Sequence, residues 1–478
     1  MTPRHIVVVG GGVTGLAAAH RLVELGREKP AQVKVTLMEA SHRLGGTLAT
    51  DHVGEFLVEA GPDSFITEKP SALRLCERLG LTARLVSTQA VHQKIYVVHQ
   101  GRLVALPEGF FLLAPTRVLP FILSPLFSWR GKLRMAAECF LPRREADGDE
   151  SLGSFVRRRF GDEALERVAQ PLIGGIYACD PDRLSLAATL PRFAEMERER
   201  RSIVLAMRSQ QKRLGLRRRR SGSGARWSLF VTLAGGMQEL TDTLARRLPE
   251  GSIQLNTPAT NLLPDPNGAG WRLVLTGRKS IHADAVILCT PAFRAGQLLA
   301  SVEQGAAKEL KKISYASTAT VSLAYRREDF PRQPDGFGFV VPWVERRKIM
   351  ACTFSSLKYP GRAPEGHILL RAFVGGALQP ALFNDDDATM EKNVRDELAS
   401  LLGVTSRPIF SRLWRHPNSM PQYHVGHNAR IKMIEELLEP FSTLALAGSA
   451  YHGVGISDCV RTGEEAAEKL FAGFVSHV

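Results

Sequence analysis

At 478 residues, with 44% hydrophobic content and 42 glycines, the chain is too long for one comfortable core and reads as a large α/β protein of two or three lobes. Six cysteines scattered without a CxxC pair exclude a disulfide or zinc framework; they read as small buried hydrophobes in a reducing compartment, which makes the cytoplasm the expected address. The net charge of +14 raises the question of an anionic partner.

The first predicted strand, Ile6-Val7-Val8-Val9, opens onto Gly10-Gly11-Gly12-Val13-Thr14-Gly15, and a helix follows over Leu16 to Gly26. This N-terminal apolar run is too short for a secretory signal and is used up by the strand. In a GxGxxG turn Gly10 permits the tight bend, Gly12 lets the backbone approach a pyrophosphate and Gly15 lets helix and strand pack closely. The helix N-terminus then offers free N–H groups and partial positive charge to phosphates. A second strand, Val33 to Met38, ends in Glu39, placed where the hydroxyls of an adenosine ribose would lie. GxGxxG alone is a weak signal, but two strands, a helix and Glu39 frame it as a dinucleotide site. Past the acid, Ala40 leads to Arg43, Gly45, Gly46 and Thr47. Arg43 can hold a phosphate by its planar fork, and the glycine pair lets the chain pass close to a flat ring. A simple nicotinamide dehydrogenase has no reason to carry this extension; a plain loop with a solvated Arg is the other reading.

Next comes the block Val58-Glu59-Ala60-Gly61-Pro62-Asp63-Ser64-Phe65. A strand pair, Ile95 to Val98 and Leu103 to Leu106, flanks the turn His99 to Arg102. The most apolar stretch, Phe110 to Trp129, is broken by Pro115, Arg117, Pro120 and Pro125, whereas a spanning helix needs ~20 mostly apolar residues. It reads as core lining or as a bent surface that dips into a membrane. Helices follow a polar linker at Arg143 to Glu150, with Ser151 as an N-cap. The segment Arg198 to Arg226 concentrates basic residues, including the run Arg217 to Arg220 before Ser221-Gly222-Ser223-Gly224. A solvated loop explains this first; anionic lipid is a second reading, at ~1 kcal/mol per basic residue. Nucleic acid is set aside, because the run lacks interleaved aromatics and a surrounding recognition motif.

Phe230 to Met237 opens a helix ending near Leu248; strands are predicted over Ile253 to Leu263, Trp271 to Thr276 and Ile281 to Leu288, with a turn at Pro264 to Gly268. Strands over Ala319 to Arg326, Gly338 to Val344, Ile349 to Phe354 and His367 to Val374 predict a second, antiparallel sheet. The tail supplies a strand, Leu444 to Gly448, and a helix from Gly463, or one starting already at Gly455-Ile456-Ser457. In the latter case its N–H groups would face the ring of the bound dinucleotide, with Asp458 as a capping acid. No catalytic triad, metal cluster or telling pair of acids appears, and the 13 histidines are dispersed.

The order Glu39-x-x-x-Arg43-x-Gly45-Gly46, then Gly61-Pro62-Asp63-Ser64-Phe65, then Met420-Pro421-Gln422-Tyr423 to His427, then Ala447-Gly448 through Gly453-Val454-Gly455-Ile456-Ser457-Asp458-Cys459 resembles a flavin family. The likeness is to the amine oxidase, phytoene desaturase and porphyrinogen oxidase superfamily, in its bacterial porphyrinogen oxidase branch, and spans nearly the whole chain. It implies an α/β fold: a discontinuous Rossmann-like FAD-binding domain (1–85, 227–295 and 436–478), a helical and membrane-touching lobe (86–226), and a mixed or antiparallel-sheet substrate domain (296–435). It implies FAD as cofactor and oxygen-dependent oxidation of protoporphyrinogen IX or coproporphyrinogen III, six electrons leaving in three two-electron steps with hydrogen peroxide formed, in haem synthesis. No residue is assigned as catalytic.

By resemblance, Gly61, Pro62, Asp63 and Ser64 lie against the flavin, Ala259 offers a backbone edge to the adenine, and Gly448, Val454, Gly455, Ile456 and Ser457 close the site. Trp414 joins this set, though Trp414, Tyr423 and His427 equally suit ordinary packing. Lys94 takes the place of a basic residue facing a propionate, and Phe337 that of an aromatic stacking on a pyrrole; a solvated lysine and a core phenylalanine are the plain readings. An amine oxidase, a polyene desaturase and a flavin-binding redox protein without turnover stay open. So do monomer against homodimer, and contact with the inner face of the cell membrane.

Overall fold

The structure, a computed structural model, describes residues 3–28, 33–111, 114–145, 148–209, 228–266, 270–277 and 279–475. The basic run Arg217 to Arg220, the Ser221 to Gly224 stretch and the Asn267-Gly268 end of the predicted turn lie outside them. Arg4–Val9 is the centre of a five-stranded parallel sheet, between Val33–Met38 and Ala285–Leu288, with Ile253–Gln254 and Leu444–Leu446 at the edges. Residues 6–9, 35–38 and 285–288 are all buried, as continuous apolar runs in a doubly covered parallel sheet must be.

One face carries the first helix, Val13–Glu28, and the closing helix, Ile456–Val475, in a single apolar cluster. The closing helix starts at Ile456, so the predicted start at Gly463 is too late. Gly463 lies inside the helix, where a Cβ would reach the Thr14 carbonyl, and its absence lets the two helices cross. The other face is covered by Ala259–Pro264, Trp271–Leu275 and Ser280–Ala283, and by helices Ala292–Leu298, Gln304–Lys311 and His427–Leu438. The single strand predicted over Ile253 to Leu263 is in fact two. Asn256, at φ 52°, turns the chain from the parallel sheet into the antiparallel one. Ile281 to Leu288 is likewise split at Asp284, whose N–H donates to the His5 carbonyl at 2.8 Å and whose carboxylate accepts from the His5 N–H at 2.7 Å. Phe230–Leu233 is a strand beside Phe65–Ile66 and Leu85–Ser87, and the helix begins only at Gln238, after Gly236 at φ 90°.

A seven-stranded sheet forms the second layer, in the order Phe410–Pro421, Tyr315–Arg326, His367–Gly375, Ala351–Phe354, Gly338–Val340, Ile95–His99 and Arg102–Ala105. The hairpin at its end was expected with the helical segment 86–226, yet it extends the sheet by pairing parallel to Gly338–Val340. Period-two alternation explains how: Val97 faces the helical lobe and Val98 the core of the sheet, so one strand serves both. Helices Ala292–Leu298 and His427–Leu438 share one core, so that core also receives chain from 296–435.

The helical lobe includes Val118–Leu123, Trp129–Ala136, Leu152–Phe160, Gln170–Tyr177 and Pro191–Arg200. Phe121, Leu126, Phe127 and Phe155 fill its core. Arg159 and Glu138, both fully buried, pair inside it, and Glu138 also accepts from Ser202 Oγ at 2.6 Å and from the Ile203 N–H at 2.8 Å. Every lone pair so engaged makes the buried charge tolerable. Among the described residues no helix is long and apolar enough to cross a membrane.

Candidate functional site

The three fingerprint glycines have distinct jobs. Gly10, at φ 112°, donates to the Met38 carbonyl at 2.7 Å, and a Cβ there would stand 2.6 Å from the Cys289 carbonyl oxygen. A Cβ on Gly15 would overlap the Gly10 carbonyl. Both are required by the fold itself. Gly12 is not: a Cβ would meet nothing within 4 Å, so its face is open beside the start of the first helix, where Val13 and Thr14 follow. Glu39 stands at the tip of its strand with one carboxylate oxygen accepting from Gly11 N–H at 2.7 Å and the other from Ser41 N–H at 2.8 Å. Asn256 and Thr257 pair with Ser41 and Glu39 through the backbone at 2.9 Å each, two residues before the strand that begins at Ala259.

The Gly45-Gly46 pair closes over the fingerprint, with Gly45 N–H donating to the Gly11 carbonyl at 2.8 Å. Arg43 turns inward on this loop. It donates to the carbonyls of Leu44 at 3.0 Å and Leu48 at 3.3 Å, and to that of Gly46, so most of its fork organises the loop instead of projecting toward a phosphate. Thr47 lies against Gly61, where any Cβ would overlap the Thr47 carbonyl. At the adjacent strand end Thr290 Oγ1 is buried without a hydrogen-bond partner. An open glycine face at a helix N-terminus, an anchored acid and an orphaned hydroxyl at the C-terminal ends of parallel strands suit an extended dinucleotide.

The turn from Ala60 to Ser64 is held from the second layer. Thr320 Oγ1 donates to the Ala60 carbonyl at 2.7 Å, and His416 Nε2 lies 2.9 Å from the same oxygen. Arg371 donates to the Gly61 carbonyl at 2.6 Å and pairs with Asp63 at 3.0 Å; Lys358 adds a second ion pair to Asp63 at 3.2 Å. Burial alone would raise the Asp63 pKa, but the two cations and the Ser64 hydroxyl outweigh it and hold it well below the usual carboxylate range. Trp414 packs beside this wall with Phe56, Val58 and Leu369. Pattern reading missed Thr320, Lys358, Arg371 and His416, because no spacing within any one segment marks them.

The tail closes the cleft. Gly448, at φ 131°, faces Thr14, and its N–H donates to Thr462 Oγ1 at 3.2 Å. Val454 and Gly455 lead into the helix, and Ser457 Oγ donates to the Ile66 carbonyl at 3.3 Å. Asp458 pairs with Lys69 at 2.7 Å, so it ties the tail to the Gly61 segment as well as sitting at a helix start. Tyr423 accepts from Gly453 N–H at 2.8 Å and donates to the Ser449 carbonyl at 2.6 Å, pinning the loop ahead of the helix.

His427 stacks on Tyr423 with ring centroids 3.9 Å apart. It is fully buried, and burial first, then Arg430, pushes its pKa from 6.5 down to about 4. An unfolded chain therefore takes up a proton near pH 6.5 that the folded one refuses until about 4. Stability is complete above the first value and shrinks as pH falls toward the second, by about 3 kcal/mol. Thermal unfolding followed from pH 7 to 4 reads this, and His427→Gln is expected to flatten that part of the profile.

The two candidate substrate residues meet just before the paired strands Ile95–His99 and Gly338–Val340, where Phe337 N–H donates to the Lys94 carbonyl at 2.8 Å. The Lys94 side chain is 61% exposed and paired with Asp335 at 2.7 Å; Phe337 is half-buried. Further along, an apolar groove between helical lobe and sheet is lined by Pro171, Gly174, Val341, Trp343, Ile349 and Met350. Among the described residues no cluster of His, Cys, Asp and Glu is arranged to hold a metal ion.

The family described as flavin containing amine oxidoreductase matches residues 13–470. The chain is 36% identical over 469 residues to the coproporphyrinogen III oxidase of Bacillus subtilis (strain 168), with 97% of each covered. It is 34% identical over 493 residues to the coproporphyrinogen III oxidase of Propionibacterium freudenreichii subsp. freudenreichii, covering 98% of this chain and 90% of that one. A crystal structure from Exiguobacterium sp. 255-15, provisionally named a protoporphyrinogen oxidase, superposes with a TM-score of 0.86 at 31% identity, covering 99% of this chain and all of that one.

Proposed function

The chain belongs to the flavin containing amine oxidoreductase family, and on that premise we propose that it oxidises coproporphyrinogen III to coproporphyrin III with FAD, oxygen being the final acceptor. Six electrons and six protons leave the substrate in three two-electron oxidations, each producing one hydrogen peroxide from dioxygen. FAD, when bound, supplies the two-electron acceptor. The residues present fit that cofactor. Gly12 and the first helix N-terminus would receive its pyrophosphate, Glu39 its ribose hydroxyls, Ala259 its adenine edge, and the Gly61 to Ser64 turn with Gly448 and Val454 to Ser457 its ring system.

The chain's own work is placement. Thr320, His416 and Arg371 fix the Ala60–Gly61 backbone from the sheet that also carries Phe337, so one rigid layer sets both the cofactor wall and the substrate wall. The observation that carries the substrate reading is the groove: it lies between this sheet and the helical lobe, its lining is mainly apolar with no carboxylate, and its one thiol, Cys179, is kept protonated because burial pushes its pKa up to about 12. A macrocycle that loses hydride to a bound oxidant asks for nothing more. Purified protein should be yellow, bleach anaerobically with coproporphyrinogen III but not with an aliphatic amine, and recover its colour in air with peroxide formed. A protein bleached only by the amine sinks the reading; faster bleaching by protoporphyrinogen IX would shift the substrate.

A cytoplasmic enzyme of this kind also touches the inner membrane face at its helical lobe. Leu119, Leu123, Trp129, Leu133 and Phe140 are 67–82% exposed. Lys132 joins their two helices by donating to the Ile122 carbonyl at 2.6 Å and lies 4.6 Å from the centre of the Trp129 ring. Apolar tips ringed by Lys132, Arg130 and Arg117 complement an anionic bilayer. Replacing Leu123 and Leu133 together by Asp is expected to weaken binding to phosphatidylglycerol vesicles roughly a hundredfold, measured by sedimentation. Equal binding of wild type and variant counts against this face.

A further inference from the structure

A second cavity of about 320 Å³ lies beyond Ala377, which lines both it and the apolar groove. Its character is different: Arg183, Ser314, Ser317, Asn384, Gln422 and His424 form its polar lining. Ala377 sits at the seam of the lobes, its N–H donating to the Ala178 carbonyl at 2.8 Å. Resting on the porphyrinogen reading, we propose that this cavity takes one carboxylate arm of the substrate, with Arg183 as the residue that recognises it.

Two observations make this a built site. Gln422 is 5% exposed, its Nε2 donates to the carbonyls of Tyr177 at 3.0 Å and Met420 at 3.1 Å, and its Oε1 has no partner. An acceptor left unpaired in a buried wall costs free energy unless a donor arrives. Arg183 is also uncommitted. Among the described residues it forms no ion pair, and its neighbour is His424, with Nη2 3.4 Å from Nδ1. Burial, then Arg183 and Arg430, lower the His424 pKa, so Arg183 carries the positive charge of that pair. Lys94, by contrast, is already matched by Asp335.

Size points the same way. The cavity is at the small end of ligand pockets, with room for an arm and not for a macrocycle. An arm that enters it reaches a planar guanidinium suited to bidentate carboxylate binding.

Fluorescence titration of the FAD-loaded protein with coproporphyrin III and with its tetramethyl ester tests this. Arg183→Met should weaken binding of the tetra-acid about tenfold or more, leave the ester unchanged, and retain full flavin content; Arg183→Lys should restore part of the loss. Unchanged affinity for the acid in Arg183→Met overturns the assignment, as does an equal loss for acid and ester. The wild type separates the two readings: if it oxidises no porphyrinogen, the proposed function falls with the cavity. If it does while Arg183→Met binds normally, the cavity alone falls.

Discussion

Gly12→Asp is expected to give a folded but colourless protein. The substitution is tolerable to the chain because a Cβ at this position meets nothing within 4 Å. That separates it from Gly15, where any side chain would run into the Gly10 carbonyl and damage the strand–helix packing itself. The open face at Gly12 is the place where a pyrophosphate would approach the first helix. A carboxylate there both fills the approach and opposes the partial positive charge of the helix N-terminus. Two like unit charges about 4 Å apart repel by roughly 4 kcal/mol at an effective dielectric near 20, which is about a thousandfold in affinity. Flavin absorbance per protein after purification, alongside the far-ultraviolet circular dichroism and Tm of wild type and variant, reads the effect. A yellow variant with wild-type flavin content would falsify the pyrophosphate assignment, and Gly12→Ala should fall between the two.

The cofactor half of the fold was legible because its signals are local. Residues 6–15 announce strand, turn and helix within one stretch, and Glu39 follows at the end of the next strand. Boundaries failed where one residue redirects the chain. Asn256 adopts a left-handed conformation and Asp284 bonds back to His5, and neither interrupts an apolar run visibly enough to divide a predicted strand. The hairpin at Ile95–His99 was read correctly as a hairpin, but its partner, Gly338–Val340, lies more than 200 residues away, so its membership of the seven-stranded sheet could not be read from periodicity. Arg43 illustrates a subtler limit. Its position suggests a phosphate ligand, and its Nη1 and Nη2 also serve carbonyls of its own loop, an engagement made by backbone geometry that pattern does not encode. The same holds for the wall around Gly61. Arg371 reaches it from 310 positions further along the chain, and Lys358 reaches Asp63 from 295.

That wall carries the second large effect. Asp63 is a single carboxylate shared by Lys358 and Arg371, all three mostly withdrawn from water. Asp63→Asn keeps the shape but leaves two cations facing each other without their counter-charge, and removing one partner of a buried pair costs about 3–5 kcal/mol. For a chain of this length that is a fall of roughly 3–5 °C in Tm. The loss should centre on the turn that would back the flavin, so the variant should also release flavin faster on dilution.

The pH behaviour follows from the direction of the Asp63 shift. Its pKa is lowered from 3.8, so its contribution is present above that value and is lost only as pH falls through the lower folded one. Wild type and Asp63→Asn should therefore differ at neutral pH and converge only in strong acid. The double variant Asp63→Asn with Lys358→Met removes one stranded cation and should recover part of the loss, a coupling that mere side-chain truncation would not show. If the double variant is less stable than the single one, Lys358 is packing against the turn and the charge argument for this wall is wrong.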